Sequence, residues 1–181
     1  MKLTEKTISS ETIFKGRIIT VKKDIALLPD GNQASREYIE HPGGVCVVPV
    51  TDNNEILMVR QYRYPYGEIV LEIPAGKKDK GEEPFTTGVR ELKEETGAVA
   101  SEFIDLGQLY PSPGYCGEII WMYGAKGLSF GDTNPDEDEF LEVERVPLRK
   151  AVEMIISGEI KDAKTQAAIL KINYLIENKK F

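Results

Sequence analysis

The sequence has few of the residues on which several common kinds of protein chemistry depend. It contains one histidine, two cysteines and one tryptophan among 181 residues. Cys46 lies in an apolar run and Cys116 in a glycine-rich stretch, and neither has the C-x-x-C spacing of a zinc or redox site. We therefore expect both cysteines to be incidental. The lone histidine, His41, stands in a His-Pro-Gly sequence and is expected to be structural rather than a catalytic base.

The chain also lacks long apolar runs and an excess of basic residues. Its apolar stretches fall far short of the about 20 residues of a membrane-spanning helix. Residues 1–12, MKLTEKTISSET, have no apolar region typical of a signal peptide. The formal net charge is -7, whereas nucleic acids and anionic membranes are bound by clustered lysine and arginine. We therefore expect no nucleic-acid partner and no membrane partner, and we predict a cytoplasmic protein.

What the sequence does contain is a run of acidic residues at fixed spacing. Residues 76–98 read GKKDKGEEPFTTGVRELKEETGA. Pro84 suits the first turn of a helix, where its missing N–H is not needed, and Gly97 suits the left-handed residue after a last turn. This pattern predicts a helix over residues 84–96.

Two faces are predicted for this helix. Apolar residues recur at spacings of four, three and four, which indicates a buried face. These residues are Phe85, Val89, Leu92 and Thr96. Glu91, Glu94 and Glu95 are then expected on the opposite side, where like charges one turn apart destabilise a lone helix by about 0.2–0.5 kcal/mol. A cation should offset this repulsion, and Mg²⁺ is the natural candidate because it prefers carboxylate oxygens.

The same run matches the Nudix box, Gly-x5-Glu-x7-Arg-Glu-apolar-x-Glu-Glu-x-Gly-apolar. The matching residues are Gly76, Glu82, Arg90, Glu91, Leu92, Glu94, Glu95, Gly97 and Ala98. The chain therefore resembles a Nudix hydrolase. The resemblance implies an α/β fold, a Nudix α/β/α sandwich with a mixed central sheet. The alternation of strands with one central helix and terminal helices favours the same class.

Four further segments resemble the ADP-ribose pyrophosphatase group of this family. They are residues 36–45 (REYIEHPGGV), 60–63 (RQYR), 72–76 (EIPAG) and 110–114 (YPSPG). The group hydrolyses ADP-ribose, a nucleoside diphosphate derivative, to AMP and ribose 5-phosphate. One alternative is another such substrate, namely a nucleotide sugar, a dinucleotide or an oxidised nucleotide. It is kept because the group often has an aromatic residue near position 18, where this chain has the aliphatic Ile18 and Ile19. A non-catalytic ADP-ribose sensor is less favoured, since all the box carboxylates are present.

Charge and resemblance together indicate the substrate contacts. Arg63 is expected on a substrate phosphate because a guanidinium forks onto two phosphate oxygens, and Arg36 is a second candidate, delivered from the other subunit. A surface ion pair is the alternative for both arginines. The resemblance implies that Glu72 accepts a hydrogen bond from adenine or ribose, and that Ser112 and Gly114 belong to a stiff loop beside the substrate.

The resemblance also implies the metal ligands and the catalytic groups. Two or three Mg²⁺ ions are expected, with Mn²⁺ able to substitute. The predicted ligands are the Ala75 carbonyl, Glu91, Glu94, Glu95 and Glu139. The predicted catalytic residues are Glu94, Glu95, Glu137 and Arg90. Arg90 is assigned an ion pair that fixes a carboxylate, and Glu137 is assigned the role of general base, with Glu139 two positions away as the alternative.

The N-terminal part of the chain is predicted to be a separate sheet. Residues 11–14, 18–28 and 34–40 have strand patterns, and the Pro-Asp-Gly sequence at 29–31 predicts a hairpin turn. The resemblance implies that residues 1–40 form an N-terminal antiparallel β extension that crosses to a partner subunit, so we expect a homodimer. Residues 41–181 are assigned to the Nudix hydrolase domain.

Overall fold

The computed structural model describes residues 3–134 and 139–181. Within these ranges the chain forms ten strands and three helices. Contacts divide it into two units. None of the helices in the described ranges has the length and apolarity needed to cross a membrane.

The first unit consists of residues up to Gly43 together with Tyr110–Ile119. It contains an antiparallel sheet with the strand order β1-β2-β3. The strands are β1 (Lys6–Lys15), β2 (Thr20–Leu27) and β3 (Gln33–Glu40). The predicted hairpin is confirmed, since β2 pairs with β3 along its full length and Gly31 takes the positive φ of 88° that the turn requires. Strand β1 is longer than predicted because backbone pairing with β2 continues through polar residues.

The second unit consists of Gly44–Leu109 and Ile120–Phe181. Its strands are β4 (Gly44–Pro49), β5 (Glu55–Arg63), β6 (Glu68–Glu72), β7 (Ala75–Lys77), β8 (Ala98–Leu109), β9 (Ile120–Phe130) and β10 (Leu141–Pro147). Its helices are α1 (Pro84–Thr96), α2 (Leu148–Ile156) and α3 (Ala163–Glu177). The sheet β7-β4-β9-β8 is mixed, because β4 and β9 are parallel and the other pairs are antiparallel. A second, antiparallel sheet has the order β10-β5-β6.

The buried strand β4 explains the layering of this unit. Successive side chains of a strand point to opposite faces of the sheet, and here both faces are covered. Cys46 and Val48 belong to the core cluster that contains Ile169 and Ile172 of α3. Val47 belongs instead to the cluster that contains Leu92 of α1 together with Leu57, Ala98 and Ala125. Helices therefore pack on both faces of a mixed sheet, which confirms the predicted α/β/α sandwich.

Candidate active site

Local sequence sets the ends of helix α1, which carries the acidic residues. The helix begins at Pro84 and ends before Gly97, whose φ is 68° and whose N–H donates to the Lys93 carbonyl at 2.8 Å. The predicted bounds are thus confirmed. Gly88 lies mid-helix at a cost of about 1 kcal/mol relative to alanine. A Cβ at this position would stand 3.1 Å from Cγ1 of Val45, so the glycine allows α1 to lie close against β4.

The predicted orientation of α1 is partly wrong. Phe85 and Val89, expected to be buried, are 50% and 37% exposed. Glu91 and Glu95, expected on the opposite side, are instead buried, with exposures of 8% and 3%. The reason is the close contact at Gly88, which turns the helix so that positions three and seven residues later also face the sheet. The acidic side chains are therefore part of the interior and not a solvated surface.

Strand β7 brings a backbone amide to one of these buried carboxylates. This short strand pairs with β4, with Ala75 opposite Cys46. The Ala75 N–H donates a hydrogen bond to Oε2 of Glu95 at 3.1 Å. The bond holds the α1 carboxylate against β7, next to the Ala75 carbonyl that was predicted to be a metal ligand.

Arg90 connects the carboxylates on the outer side of α1. Its Nε and Nη2 donate to the two oxygens of Glu82, each at 3.2 Å. Its Nη1 donates to Oε2 of Glu94 at 2.8 Å and also lies 2.8 Å from Oε1 of Glu91. The hydrogen bonds from Arg90 are the main reason why the pKa of Glu82 is lowered to about 2. Arg90 therefore forms ion pairs with three carboxylates, and its part in catalysis stays a prediction.

The buried carboxylates Glu91 and Glu95 resist ionisation. Burial raises the pKa of Glu91 to about 7, against the opposing charge of Arg90. Burial, followed by the charge of Glu91, raises the pKa of Glu95 to about 8. The half-buried Glu139 also raises both pKa values through its charge, so it lies within electrostatic range of the pair. A cation would stabilise the ionised forms of all three groups.

In this side-chain arrangement the carboxylates are paired with protein donors. Over residues 3–134 and 139–181, no three histidine, cysteine, aspartate or glutamate side chains converge in a geometry that could hold a metal ion. Arg90 engages Glu91 and Glu94, and the Ala75 N–H engages Glu95. The oxygens of these groups are the donor type that Mg²⁺ selects. To act as ligands they would have to turn away from their present partners.

A second group of charges surrounds Glu72, at the end of β6. Arg63 donates to both of its oxygens, from Nε at 2.6 Å and from Nη2 at 2.7 Å. Lys164 of α3 also donates to Oε2 of Glu72, and its Nζ lies 3.0 Å from Oδ2 of Asp162. We call these four residues the Glu72 network. Burial alone would raise the pKa of Glu72, but the hydrogen bonds from Arg63 and the charge of Lys164 outweigh it and lower that pKa.

Comparison with known proteins identifies the family to which the chain belongs. A model of the NUDIX domain matches residues 40–168. The chain belongs to the Nudix family. A model of the nucleoside diphosphate sugar hydrolase N-terminal domain matches residues 5–39. These matches confirm the family resemblance read from the box, and they identify the chain as a Nudix hydrolase.

Curated relatives are similar to this Nudix hydrolase over most of its length. The ADP-ribose pyrophosphatase of Bacillus subtilis (strain 168) is 45% identical over 169 residues, which are 92% of this chain and 91% of the relative. The methanol dehydrogenase activator of Bacillus methanolicus is 44% identical over 167 residues, 91% of this chain and 90% of the relative. A crystal structure of an ADP compounds hydrolase covers 100% of both chains with a TM-score of 0.86. At 23% identity this structure supports the fold alone.

Two predicted substrate contacts of this Nudix hydrolase have protein partners in the structure. Arg63 is bound to Glu72, and the Glu72 side chain is 2% exposed with both oxygens engaged. This burial leaves Glu72 badly placed to accept a hydrogen bond from adenine or ribose. Arg63 is 36% exposed, so its guanidinium borders solvent. Both assignments stay predictions.

Three further predicted contacts lie in the first unit. Arg36 forms a two-point ion pair with Glu5, at 2.8 Å from Nε and 2.6 Å from Nη2. Ser112 lies in a turn where its carbonyl accepts from Cys116 N at 2.9 Å, and a Cβ added at Gly114 would enter open space. The predicted base Glu137 lies outside the described residues. These roles therefore also stay predictions.

Sequence reasoning missed the residues of α3 that hold the Glu72 segment in place. Asp162 caps the helix by accepting from Thr165 N at 2.9 Å, and the Thr165 hydroxyl accepts from Ile73 N at 3.0 Å. Lys164 stands in the first turn, where a cation is opposed by the helix dipole. A lysine in the first turn of a predicted helix is a weak signal in the sequence that a carboxylate lies nearby, but it does not specify which carboxylate.

Proposed function

We propose that this chain hydrolyses the diphosphate bond of ADP-ribose to AMP and ribose 5-phosphate in a Mg²⁺-dependent reaction. The observation that carries the proposal is the pair Glu91 and Glu95, two carboxylates of the Nudix box that are 8% and 3% exposed on one helix. Burial raises the pKa of both, so a bound cation would favour their ionised forms. The relative named ADP-ribose pyrophosphatase, at 45% identity, supports the choice of substrate. Arg63, within the electrostatic range of Glu95, supplies the positive charge that a diphosphate requires.

The donor set fits Mg²⁺, and it also fits Mn²⁺. The residues that would hold the ions are the Ala75 carbonyl, Glu91, Glu94, Glu95 and Glu139. All offer oxygen, which both ions accept. When bound, the ions supply Lewis-acid chemistry, because they neutralise the charge of the diphosphate and of the leaving phosphate.

The remaining steps fall to the side chains of the protein. Glu137, which follows from the family resemblance, takes the proton of the attacking water as general base. Arg63 binds a phosphate oxygen and stabilises the negative charge that grows on the equatorial oxygens during attack. Arg90 holds Glu82 and Glu94 in place, and Arg36, Ser112 and Gly114 are the further predicted substrate contacts. Glu72, which is buried and bound by Arg63, would act through this arginine.

A nucleotide sugar is the second candidate substrate. It is favoured by the match of residues 5–39 to the nucleoside diphosphate sugar hydrolase N-terminal domain. The same carboxylates and the same arginine would serve, since the bond that breaks is of the same kind. The two candidates differ in the sugar attached to the second phosphate and, where the base of the nucleotide sugar is not adenine, in the base as well.

A substrate panel tests the proposal. ADP-ribose, nucleotide sugars, dinucleotides and an oxidised nucleotide are assayed with Mg²⁺ and then with Mn²⁺, and the products are identified by chromatography. We expect ADP-ribose to have the highest kcat/KM and to yield AMP. A higher kcat/KM for a nucleotide sugar would select the second candidate. ADP-ribose that raises the melting temperature but is not cleaved would indicate a sensor.

A matched pair of variants distinguishes metal-dependent hydrolysis by this protein from the activity of a contaminating enzyme. Glu95→Gln is expected to lower turnover by about 100-fold or more, because it removes a predicted ligand. Glu102→Gln changes an exposed glutamate that pairs with Lys126 at 3.3 Å and is expected to retain turnover. Equal activities of the two variants would refute the metal assignment.

Homodimer formation in the cytoplasm belongs to the same proposal. Every residue of β1 is exposed, including the apolar Ile8, Ile13 and Phe14. A second copy of the chain is the natural cover for such a strand. Sedimentation analysis is expected to give twice the chain mass, and a monomer would contradict this part of the proposal.

A further inference from the structure

The carboxylate of Glu72 is held by two cations that differ in exposure. Arg63, at 36% exposure, borders solvent, whereas the side chain of Lys164 is 10% exposed and that of Glu72 only 2%. Lys164 also contacts Asp162, which keeps its amine beside the network. The buried cation is therefore fixed by the fold, and the cation at the surface is the one that can change partners.

Removing the only cation from a buried carboxylate is strongly unfavourable, because the charge is left without solvent or partner. If Glu72 were paired with Arg63 alone, the guanidinium could not leave it. Lys164 provides a second donor to the same carboxylate. Glu72 can therefore stay paired while Arg63 moves.

Arg63 also lies within electrostatic range of one predicted metal ligand, Glu95. The pKa of Arg63 is raised first by its hydrogen bonds to Glu72, against the effect of burial, then by the charges of Glu72 and Asp162, and last by the charge of Glu95. Along the chain, Glu72 precedes Ala75 by three residues, and Ala75 N–H binds Glu95. A diphosphate held at the carboxylates would be within reach of a guanidinium that swings away from Glu72.

We propose that Lys164 is a positioning residue that keeps Glu72 paired, so that Arg63 can exchange this carboxylate for a substrate phosphate. The inference rests on the proposed function, in which Arg63 binds phosphate. It assigns to Lys164 no contact with substrate. Arg63 leaves Glu72 when substrate binds, and at saturation it lies on the phosphate in the variant as in the wild type. The effect of Lys164 should therefore fall on KM more than on kcat.

The first test compares the KM and kcat of two lysine variants. Lys164→Met is expected to raise KM for ADP-ribose by about tenfold, since Arg63 becomes the sole partner of a buried charge, with kcat changed less than about twofold. Lys161→Met is the matched control. Lys161 lies three residues earlier, is 63% exposed and pairs with Glu68 at 2.8 Å, so KM should not change. An unchanged KM in a folded Lys164→Met protein would overturn the inference.

A double variant tests the mechanism. Glu72→Gln removes the charge that needs Lys164, so adding Lys164→Met to this background should leave KM unchanged. A tenfold rise in both backgrounds would instead mean that Lys164 acts by another route, and it would overturn the inference. The double variant carries no unpaired buried charge at these two positions, so it remains informative if Lys164→Met alone does not fold.

A spectroscopic readout follows Arg63 directly. Its Nε–H donates to Glu72 at 2.6 Å, and the ¹⁵N resonance is assigned by its absence in Arg63→Lys. Addition of the α,β-methylene analogue of ADP-ribose with Mg²⁺ should shift this resonance in the wild-type protein. A resonance that does not move at saturation would overturn the exchange of partners.

The outcomes separate the inference from the function on which it rests. If the wild type cleaves another member of the substrate panel, the KM series is run with that substrate. If the wild type cleaves none of the substrates in the panel, both the proposed function and this inference are refuted. If the wild type hydrolyses the substrate but the Arg63 resonance does not shift, or if KM is unchanged in Lys164→Met, the inference alone is refuted.

Discussion

The carboxylate of Glu91 lies where a side chain at position 76 would begin. A Cβ built on Gly76 would overlap the carboxyl carbon and both oxygens of Glu91. The reason for glycine is space, since the φ of this residue is outside the left-handed region. The neighbouring Ala75 fixes Glu95 through its N–H. Strand β7 thus shapes the positions of both buried carboxylates.

Gly76→Ala is therefore expected to displace Glu91. The added methyl group cannot share the space of a carboxylate, and displacing a predicted metal ligand by about 1 Å can lower turnover by about 100-fold. The measurements are kcat and the Mg²⁺ concentration that gives half of the maximal rate, which should rise.

Gly131→Ala is the control for this substitution. A Cβ at Gly131 would lie 3.9 Å from the Gly97 carbonyl oxygen, which is an ordinary van der Waals contact. Its activity should equal that of the wild type. Wild-type kinetics of Gly76→Ala would mean that Glu91 can leave its place without consequence.

The bounds of α1 were predictable from sequence, but its orientation was not. Pro84 and Gly97 act locally, through a missing N–H and a positive φ, and both effects can be read from the residue type. The rotation of the helix depends on Gly88, which meets Val45 of a strand that no local pattern brings near. The apolar character of Phe85 therefore wrongly indicated that this residue lies on the buried face.

The carboxylates and the arginine of the box were identified because the spacing of a family motif contains them. The Glu72 network was missed because Lys164 is 92 residues away from Glu72 in the chain. Such a pairing depends on how α3 packs against the sheet, and charge alone does not specify which carboxylate a lysine meets. Side-chain burial, which decides whether a charge is paired or solvated, comes from the same tertiary packing.

Without metal, the protein should become less stable as pH rises from about 4.5 to about 8. The folded-state pKa values of Glu91 and Glu95, about 7 and about 8, lie above the ordinary value of 4.5. The folded state therefore binds more protons than the unfolded state within this window. The associated stability is complete below 4.5 and is lost as pH rises through the folded values. Melting temperatures in EDTA between pH 5 and pH 8 should fall accordingly.

Mg²⁺ and a neutral variant provide the controls for this pH dependence. Mg²⁺ should raise the melting temperature more at pH 8 than at pH 5, because the ionised carboxylates bind it. The amide that replaces the carboxylate in Glu95→Gln does not titrate in this range. The melting temperature of this variant in EDTA should therefore fall less with pH than that of the wild type. A decline equal to that of the wild type would show that other groups cause it.

Arg90→Lys is expected to destabilise the protein while it retains the charge. Lysine cannot reproduce the fork that joins Glu82 and Glu94, and the lost charge-assisted hydrogen bonds should lower the free energy of unfolding by about 1–3 kcal/mol. Urea unfolding measures this change. In Arg149→Lys, where Arg149 is 93% exposed and lies 3.6 Å from Glu153, the change should stay within about 0.5 kcal/mol.

Glu137 and Glu139 should differ in the kinetic step that they affect. Glu137→Gln is expected to lower kcat by about 100-fold or more, with substrate binding retained, because a general base acts only in the chemical step. Glu139, whose charge raises the pKa values of Glu91 and Glu95, is the predicted metal ligand. Glu139→Gln should therefore raise the Mg²⁺ concentration needed for half-maximal rate. The two are distinguished by measuring kcat at saturating Mg²⁺ together with ADP-ribose binding by calorimetry. If saturating Mg²⁺ restores Glu137→Gln but not Glu139→Gln, the two roles are exchanged and the base lies two residues further along the chain.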